Sequence, residues 1–471
     1  MKWPQFARIV LLFLAVVLPH AGQAQFTYTT NDDNTITITG YTGTNGVVNI
    51  PESINSLPVV SIGDIAFRNC TILNSVTIPT TVTNIGLEAF SYTGLTNVVL
   101  PNSIINVGPD AFYACSYLAS IALSSNAASI RNETFQFCGS LTNVTIPIGV
   151  RNIGDNAFEA CSSLKSLLIP TSVTNISGNV FYYCTSLADI TIPDSVINID
   201  GATFAHCTSL TNITLPRNIT TIQSSEFFEC THLASIVIPD GVTNISDYAF
   251  FFCSSLTNVT IPSGVTSFGG NAFAYCRSLP SITIPSGITS IAGWVFSTCT
   301  SLTNITIPEG VTDIGDGALS YCSSLTNTTI PRSVVSIGYE TFYDCSSLES
   351  VFFEGNAPSL RPDSFYFSPA IAYYLPGTTG WDTFDGCATA QWFLPAPMIL
   401  TFEPDFGVQT NGFGFTISWA TNVSIVVEGC PDLANPNWQP VQTNTLTTGS
   451  AFFNDPQWTN YPSRFYRLRS L

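Results

Sequence analysis

Apolar positions return every 23 residues along most of this chain, separated by Thr, Ser and Asn. The unit between Cys299 and Cys322 contains the run LTNITIP. Ile305 and Ile307 alternate with polar residues, which predicts a short, half-buried strand. Pro308 has no N–H to donate, so it is expected to end that strand. A fixed period of this length predicts a solenoid in which each coil buries its apolar side against the next.

The second half of each unit completes the predicted coil. Val311 and Ile314 are expected to fill the next side of the core, and Gly315 suits a turn with positive φ. Only seven residues separate Ile314 from Cys322. This side is therefore predicted as a short helical turn or irregular segment and not as a long helix.

Cysteines mark the period most clearly. Eleven of them are spaced by 23 residues: Cys115, Cys138, Cys161, Cys184, Cys207, Cys230, Cys253, Cys276, Cys299, Cys322 and Cys345. Disulfides between neighbouring coils, a metal site, or small buried side chains would each place one cysteine in every coil. An odd number cannot pair completely, C-x-x-C spacing is absent, and Thr93 stands near the cysteine position in one unit. These observations favour packing in the core.

The repeat resembles the BspA-like class of leucine-rich repeats, whose consensus is close to C-x-S-L-x-x-I-x-I-P-x-x-V-x-x-I-G-x-x-A-F. The match covers roughly Val47 to Phe367. The resemblance implies a leucine-rich-repeat solenoid with a parallel β-sheet on one face and short helical or irregular segments on the other. It also implies a secreted or surface-associated bacterial or protist protein, in a family linked with adhesion and with host or matrix binding.

Three segments are predicted. Residues 1–24 are expected to be a signal peptide, because Lys2 and Arg8 precede an apolar stretch and small residues end at Ala24. Residues 25–394 should form the solenoid with its N- and C-terminal caps. Residues 395–471 alternate polar and apolar positions and are rich in aromatics, which predicts a small β-sandwich-like domain for sorting, attachment or capping. We favour sorting or attachment.

The charge balance excludes some classes of partner. Only 9% of the residues are charged, and 31 acids face 13 bases. Loss of the predicted signal peptide would leave 11 bases. Such an acidic chain should repel nucleic acid, which is bound through neutralisation of its phosphates. After the N-terminus no apolar run is long enough to cross a membrane, so no transmembrane segment is expected in the mature chain, which we place outside the cytoplasm, secreted or at the cell surface.

Catalysis is not expected. Beyond the predicted signal peptide the two histidines, His206 and His232, fall at different phases of the repeat. No metalloprotease, nucleophile-elbow, dinucleotide-binding or P-loop motif is present. We therefore predict a non-enzyme without cofactor or metal, and three arginines near the C-terminus form either a solvated strand face or a binding patch.

Two columns of residues are candidates for a binding surface. The first contains the outward strand positions Asn258, Thr260, Thr283, Asn304 and Thr306. The second contains aromatic residues just before the cysteine: Tyr183, Phe252, Tyr275 and Tyr321.

Several interpretations of these columns stay open. Thr suits a pleated surface for structural reasons alone, and the aromatics could simply seal the coil. A regular Thr array could also match an ice lattice, although Leu168, Val237 and Phe352 interrupt it. The favoured hypothesis is a secreted or cell-surface adhesion protein that binds protein or glycan. The alternative is a structural spacer or cell-envelope component without a specific ligand.

Overall fold

The computed structural model describes residues 25–384, 386–392, 398–400, 406–418, 423–434, 436–447 and 450–470. The predicted signal peptide and the start of the predicted C-terminal domain at 395 lie outside these residues. The chain divides into two compact units, Met1–Gly241 and Val242–Leu471, each considered by itself. In the described ranges no helix is long and apolar enough to span a bilayer.

Each coil contains two short parallel strands followed by a run of turns. In one coil these strands are Asn304–Thr306 and Asp313–Ile314. Strands of neighbouring coils pair in register, so that Thr283 lies opposite Thr306. The parallel β-solenoid and the irregular third side are thus confirmed. The second strand was not predicted, because a strand of two residues has only one inward position and shows no alternation.

The first unit opens with an antiparallel hairpin, Phe26–Thr30 and Ile36–Tyr41, and continues with the coils. Ser53–Ile54 and Leu57–Ile62 form a second hairpin. The first strands of its coils are Val47–Asn49, Ser75–Thr77, Asn97–Val99, Ser120–Ala122, Asn143–Thr145, Ser166–Leu168, Asp189–Thr191, Asn212–Thr214 and Ser235–Val237. The second strands are Asn84–Ile85, Asn106–Val107, Ser129–Ile130, Asn152–Ile153, Asn175–Ile176, Asn198–Ile199 and Thr221–Ile222.

The second unit contains further coils and then an antiparallel module. The first strands are Asn258–Thr260, Ser281–Thr283, Asn304–Thr306, Asn327–Ile330, Ser350–Phe353, Ile371–Tyr374 and Ala388–Gln391. The second strands are Asn244–Ile245, Ser267–Phe268, Ser290–Ile291, Asp313–Ile314, Ser336–Ile337 and Ser359–Leu360. Short 3₁₀ turns lie at Trp381–Thr383 and Trp458–Asn460.

Stacked columns of identical side chains form the core of the coils. Phe273 lies between Phe250 and Phe296, with ring centroids 5.2 and 5.9 Å apart and nearly parallel rings. Leu319 takes the same position in the next coil and is equally buried. Buried aromatic rings contribute large apolar areas, so this column is a main source of stability in each coil.

The cysteines are buried and also donate hydrogen bonds. All fourteen are free thiols. Cys161 Sγ donates to the carbonyl of Phe135 in the preceding coil at 3.2 Å. Thr93 fills this position in one unit, and its hydroxyl donates to Phe90 O at 2.9 Å. The thiols therefore pack in the core, as favoured above, and in addition link neighbouring coils through hydrogen bonds.

Two positions in the turn side of each coil have left-handed backbone conformation without glycine. In one coil they are Asn271, with φ 58°, and Tyr275, with φ 62°. Their N–H groups donate to Gly293 O and Ser297 O of the next coil at 3.1 and 2.8 Å. A left-handed residue with a side chain costs about 1–2 kcal/mol, and these inter-coil bonds offset that cost.

The prediction for Gly315 was wrong in its reason. This residue is not among those with positive φ; Gly317 is, with φ 60°. A Cβ atom on Gly315 would lie 2.7 Å from the backbone nitrogen of Gly293. Glycine is needed there because the backbone of the preceding coil approaches closely.

The C-terminal residues form two antiparallel sheets, which confirms a β-rich region. One contains Met398–Leu400, Gly407–Gln409, Gly412–Ser418 and Ser450–Asp455, and the other contains Val423–Cys430, Gln439–Leu446 and Phe465–Ser470. Phe415 and Ile417 of the first sheet pack with Ile425 and Val427 of the second in one buried cluster. Two sheets around a shared core have the layered arrangement of a sandwich.

Candidate functional site

The outward strand positions of the second unit form an exposed polar face. Asn258, Thr260, Thr283, Asn304 and Thr306 are all exposed, whereas the residues between them point into the core. Thr283, Thr306 and Thr329 follow one another in register. Within the part of the chain that the structure describes, the hydroxyls of these three residues have no hydrogen-bonding partner. They are therefore available to a ligand.

This threonine face ends against an aromatic cluster. Phe352 takes the next position of the threonine column, and Tyr373 follows it in register. The ring of Phe352 stacks on Tyr373 with centroids 5.3 Å apart and contacts Trp392 at 4.7 Å. These rings cover one another in part, so they shield the last strands of the solenoid.

The predicted aromatic residues lie on the turn side of the coil, not on the first strand. Tyr183 and Tyr321 are 44% and 41% exposed, whereas Phe252 and Tyr275 are half-buried. All four have positive φ. The structure therefore does not bring the aromatic and threonine columns together into one site, because they belong to different segments of the coil.

Local contacts fix several turn-side rings. The ring of Tyr183 stacks on His206, with centroids 4.2 Å apart. His206 Nδ1 lies 3.0 Å from Glu229 Oε2. The second histidine, His232, has its Nδ1 2.6 Å from the carbonyl of Thr208. Both histidines thus contact their neighbouring coils.

The sequence analysis missed a row of acids and aromatics on the turn side of the first unit. We call it the acidic–aromatic row and define it by Glu88, Asp110, Glu133, Glu159, Tyr92, Tyr113 and Phe137. Three of its acids occupy the left-handed position five residues before the cysteine position in consecutive coils. Aligning that column would have revealed them, but only the residue directly before the cysteine was compared.

The acids of this row are crowded. Partial burial, a hydrogen bond to Glu133 and the charges of Glu133 and Glu88 raise the pKa of Asp110 to about 6. Burial also raises the pKa of Glu159, whose neighbours include Glu133 and the amide of Gln136. The row therefore contains more negative charge than its surroundings balance.

Aromatic rings accompany these acids. The ring of Tyr113 lies 5.4 Å from Tyr92 and 5.5 Å from Phe137, both in edge-to-face geometry. Tyr92 and Phe137 are 41% and 42% exposed. Burial and the adjacent Tyr92 raise the pKa of Tyr113 to about 12, so its hydroxyl stays protonated.

The C-terminal arginines are paired within the module and do not form a free basic patch. Arg467 Nη2 and Arg469 Nε lie 2.8 and 2.7 Å from the two carboxylate oxygens of Glu428. These hydrogen bonds hold the pKa of Glu428 below its usual value. Arg464 Nε lies 2.9 Å from Asp455 Oδ2, and Tyr466 donates to the same oxygen. Their charge is therefore used internally.

A family model described as "BspA type Leucine rich repeat region (6 copies)" matches residues 46–165, 151–280 and 243–372. The chain belongs to the BspA-type leucine-rich-repeat family. No curated protein matches it in sequence. Membership of this BspA-type family agrees with a repeat scaffold in which the recurring residues are those of the core.

Solved structures of bacterial leucine-rich-repeat proteins resemble the chain. One from Bacteroides ovatus is 26% identical, with a TM-score of 0.49, over 74% of this chain and 93% of that one. A leucine-rich cell surface protein from Faecalibacterium prausnitzii is 28% identical, with a TM-score of 0.40, over 70% and 94%. The pneumococcal vaccine antigen PcpA is 19% identical, with a TM-score of 0.51, over 75% and 92%. PcpA shares the fold.

Proposed function

We propose that this protein is a secreted or cell-surface adhesion protein that binds protein or glycan through an exposed face of its coils. The observation that carries the proposal is the threonine face of the second unit. Its hydroxyl and amide groups are exposed, repeat from coil to coil, and have no partner of their own among the described residues. Membership of the BspA-type family supports a binding role.

The spacing of this face suits an extended ligand. Neighbouring strands of a sheet lie about 4.8 Å apart, so equivalent Thr and Asn side chains recur at that interval. Many weak contacts along a stack of coils can add up to useful affinity, and solenoids present such extended surfaces. The turn-side residues Tyr183, Phe252, Tyr275 and Tyr321 offer a second surface, because aromatic side chains are enriched at interfaces.

The rest of the chain is assigned roles that fit this proposal. Residues 1–24 direct export, residues 25–394 form the recognition solenoid, and residues 395–471 sort or attach the protein at the cell surface. The protein is not an enzyme in this proposal and needs no cofactor. A structural spacer would share all of these features except a ligand.

An array of glycans and extracellular matrix proteins tests the proposal with the mature chain. We expect at least one ligand to bind the wild type, and Thr283→Val with Thr306→Val to weaken that binding. The fold should tolerate these changes, because Val99 and Val237 stand in the same column of the first unit. Thr145→Val is the matched control outside the threonine face. Phe252→Ala with Tyr275→Ala tests the turn side separately.

The outcomes separate the two hypotheses. Binding that disappears with either double variant supports recognition through that face. Absence of any ligand above background on the array would sink the adhesion proposal in favour of a spacer.

A further inference from the structure

The acidic–aromatic row of the first unit lacks a complement for its charge. In the described ranges, the only ion pair it makes is that of Glu88 Oε2 with Arg68 Nε, at 2.9 Å. Asp110 and Glu133 instead hydrogen-bond to each other, which like-charged groups do only by sharing a proton. A cation placed at this pair would remove a repulsion that the free protein retains.

The row's one internal cation shows which chemistry fits. Arg68 lies at the end of the row, against Glu88, and is 42% exposed. No group of His, Cys, Asp and Glu side chains in the described part of the chain could hold a metal ion. A guanidinium continuing from Arg68 along the row would meet Asp110 and Glu133 next, as an extension of the pairing already present.

The turn side also receives guanidinium groups on its aromatic rings elsewhere. In the second unit, Arg277 lies over Phe252 and Tyr275, 5.2 and 5.6 Å from their ring centroids. Arg361 lies over Tyr339 at 5.0 Å. The planar guanidinium both stacks on aromatic faces and forms paired hydrogen bonds with carboxylates, which the ammonium of lysine does less well.

We propose that the acidic–aromatic row docks an arginine-rich segment of a partner protein, with the carboxylates of Asp110 and Glu133 pairing with guanidinium groups and the exposed rings of Tyr92 and Phe137 stacking on them. This inference rests on the proposed binding function and names a partner class for it. Complementary charge gives such docking its specificity, and partial burial protects the contacts from screening by salt.

The chain itself supplies substitutions that the fold tolerates. Asn156 and Asn179 occupy the left-handed position of the Asp110 column, both with φ 55°. Asp110→Asn with Glu133→Asn therefore removes two charges without backbone strain and relieves their repulsion. Ala114 and Ala160 occupy the position of Phe137, with φ 54° and 56°, so Phe137→Ala is equally compatible.

The probe is a fluorescein-labelled peptide of alternating Arg and Gly, with an otherwise identical Gln–Gly peptide as its neutral counterpart. Anisotropy titrations use the mature chain at physiological salt. We expect the Arg peptide to bind, the double Asn variant to weaken binding about tenfold, and Phe137→Ala to weaken it about threefold. Thermal melting should show both variants folded.

A second acid pair serves as the matched control. Glu309 and Glu354 also hydrogen-bond to each other, near Arg332 in the second unit, and burial raises the pKa of Glu354. Glu309→Gln with Glu354→Gln removes the same charge and should leave peptide binding unchanged. Equal losses in the two double variants, or equal binding of the Gln–Gly peptide, would overturn the docking site and leave only diffuse attraction.

The ligand array distinguishes this inference from the proposed function. If the array yields a ligand that the double Asn variant binds as tightly as the wild type, and the Arg peptide does not bind, the docking site is refuted while the adhesion proposal stands. If the array yields nothing but the Arg peptide binds through Asp110 and Glu133, the docking site stands while the threonine face fails.

Discussion

Two regions of the second unit, its coils and its antiparallel module, treat buried polar groups in opposite ways. Between residues 242 and 392 the described buried polar side chains carry only hydroxyls: Ser297, Ser320, Thr328, Thr341 and Ser364. The module instead buries two carboxylates, Glu428 and Asp455, each paired with arginine. The difference reflects repetition. In a coil each neighbour repeats the same column, so a charge tends to meet its like about 4.8 Å away.

The first unit shows what happens when a coil departs from this rule. Glu226 occupies a column that holds Ala157 and Thr203 in other coils and is 2% exposed. Burial and the charge of Asp200 raise the pKa of Glu226 well above its usual value, so the group stays protonated. A repeating core thus accepts an acid only in neutral form, whereas the non-repeating module can place a specific cation beside each acid.

Ala272→Glu should have the largest effect. It places an acid in the fully buried small-residue column of the second unit, where it has no cation and too little space. We expect a loss of about 4 kcal/mol in the free energy of unfolding, measured by urea denaturation. Ala272→Thr is the control, because Thr341 stands in this column. Similar losses for Glu and Thr would mean that volume, not charge, limits the column.

Asp455→Asn should come next. It removes the charge that Arg464 faces, and Arg464 is itself only 12% exposed. Leaving a buried guanidinium unpaired is expected to cost about 3 kcal/mol, seen as faster hydrogen exchange across residues 450–470. Glu309→Gln breaks an exposed pair with Arg332 and should cost about 0.5 kcal/mol at most. An equally small cost at Asp455 would contradict the contrast between module and coils.

Substitution of a core cysteine should have a smaller effect that depends on the donor. Cys161→Ala loses the hydrogen bond to Phe135 O and should cost about 1–2 kcal/mol. Cys161→Ser keeps a donor and should cost less, as Thr93 illustrates. Urea denaturation under reducing conditions measures both. If Ser is more disruptive than Ala, the thiol acts only as an apolar filler.

Acid should change the stability of the two regions slightly and with opposite sign. The pKa of Asp110 is raised to about 6, so the first unit should lose stability as the pH rises from about 4 to 6. The pKa of Glu428 is lowered, so the module should keep its stability above the usual glutamate pKa and lose it as the pH falls below that value. Hydrogen exchange at several pH values reports each region. Asp110→Asn should abolish the first trend, and its persistence would assign the trend to other groups.

The sequence predicted the coil because the residues that define it point inward and repeat. Ile305, Leu302 and Cys299 each recur at fixed spacing, and that spacing alone indicates stacking. It could not predict the two-residue strand ending at Ile314, which is too short to alternate. It also could not predict that Gly315 avoids a close backbone contact, since this depends on the adjacent coil.

The candidate surface was predictable only in part. Exposure of Thr306 follows from its alternation with Ile305, so the threonine face could be expected from the strand pattern. The position of Tyr183 relative to that face depends on the path of the turns, which no periodicity encodes. The pairing of Glu428 with Arg467 and Arg469 joins strands that are distant in the chain, so a short sequence window could not reveal it.

The free thiols impose a race on any chain that folds outside a reducing compartment. While a coil is open, its cysteine is accessible to oxidants and to the thiol of the next repeat, only 23 residues away along the chain. Once the coil closes, burial raises the pKa of the thiol, to about 12 for Cys299, and suppresses its nucleophilic thiolate form. The yield of active protein is then set kinetically, by how fast each coil closes compared with how fast its sulfur is oxidised.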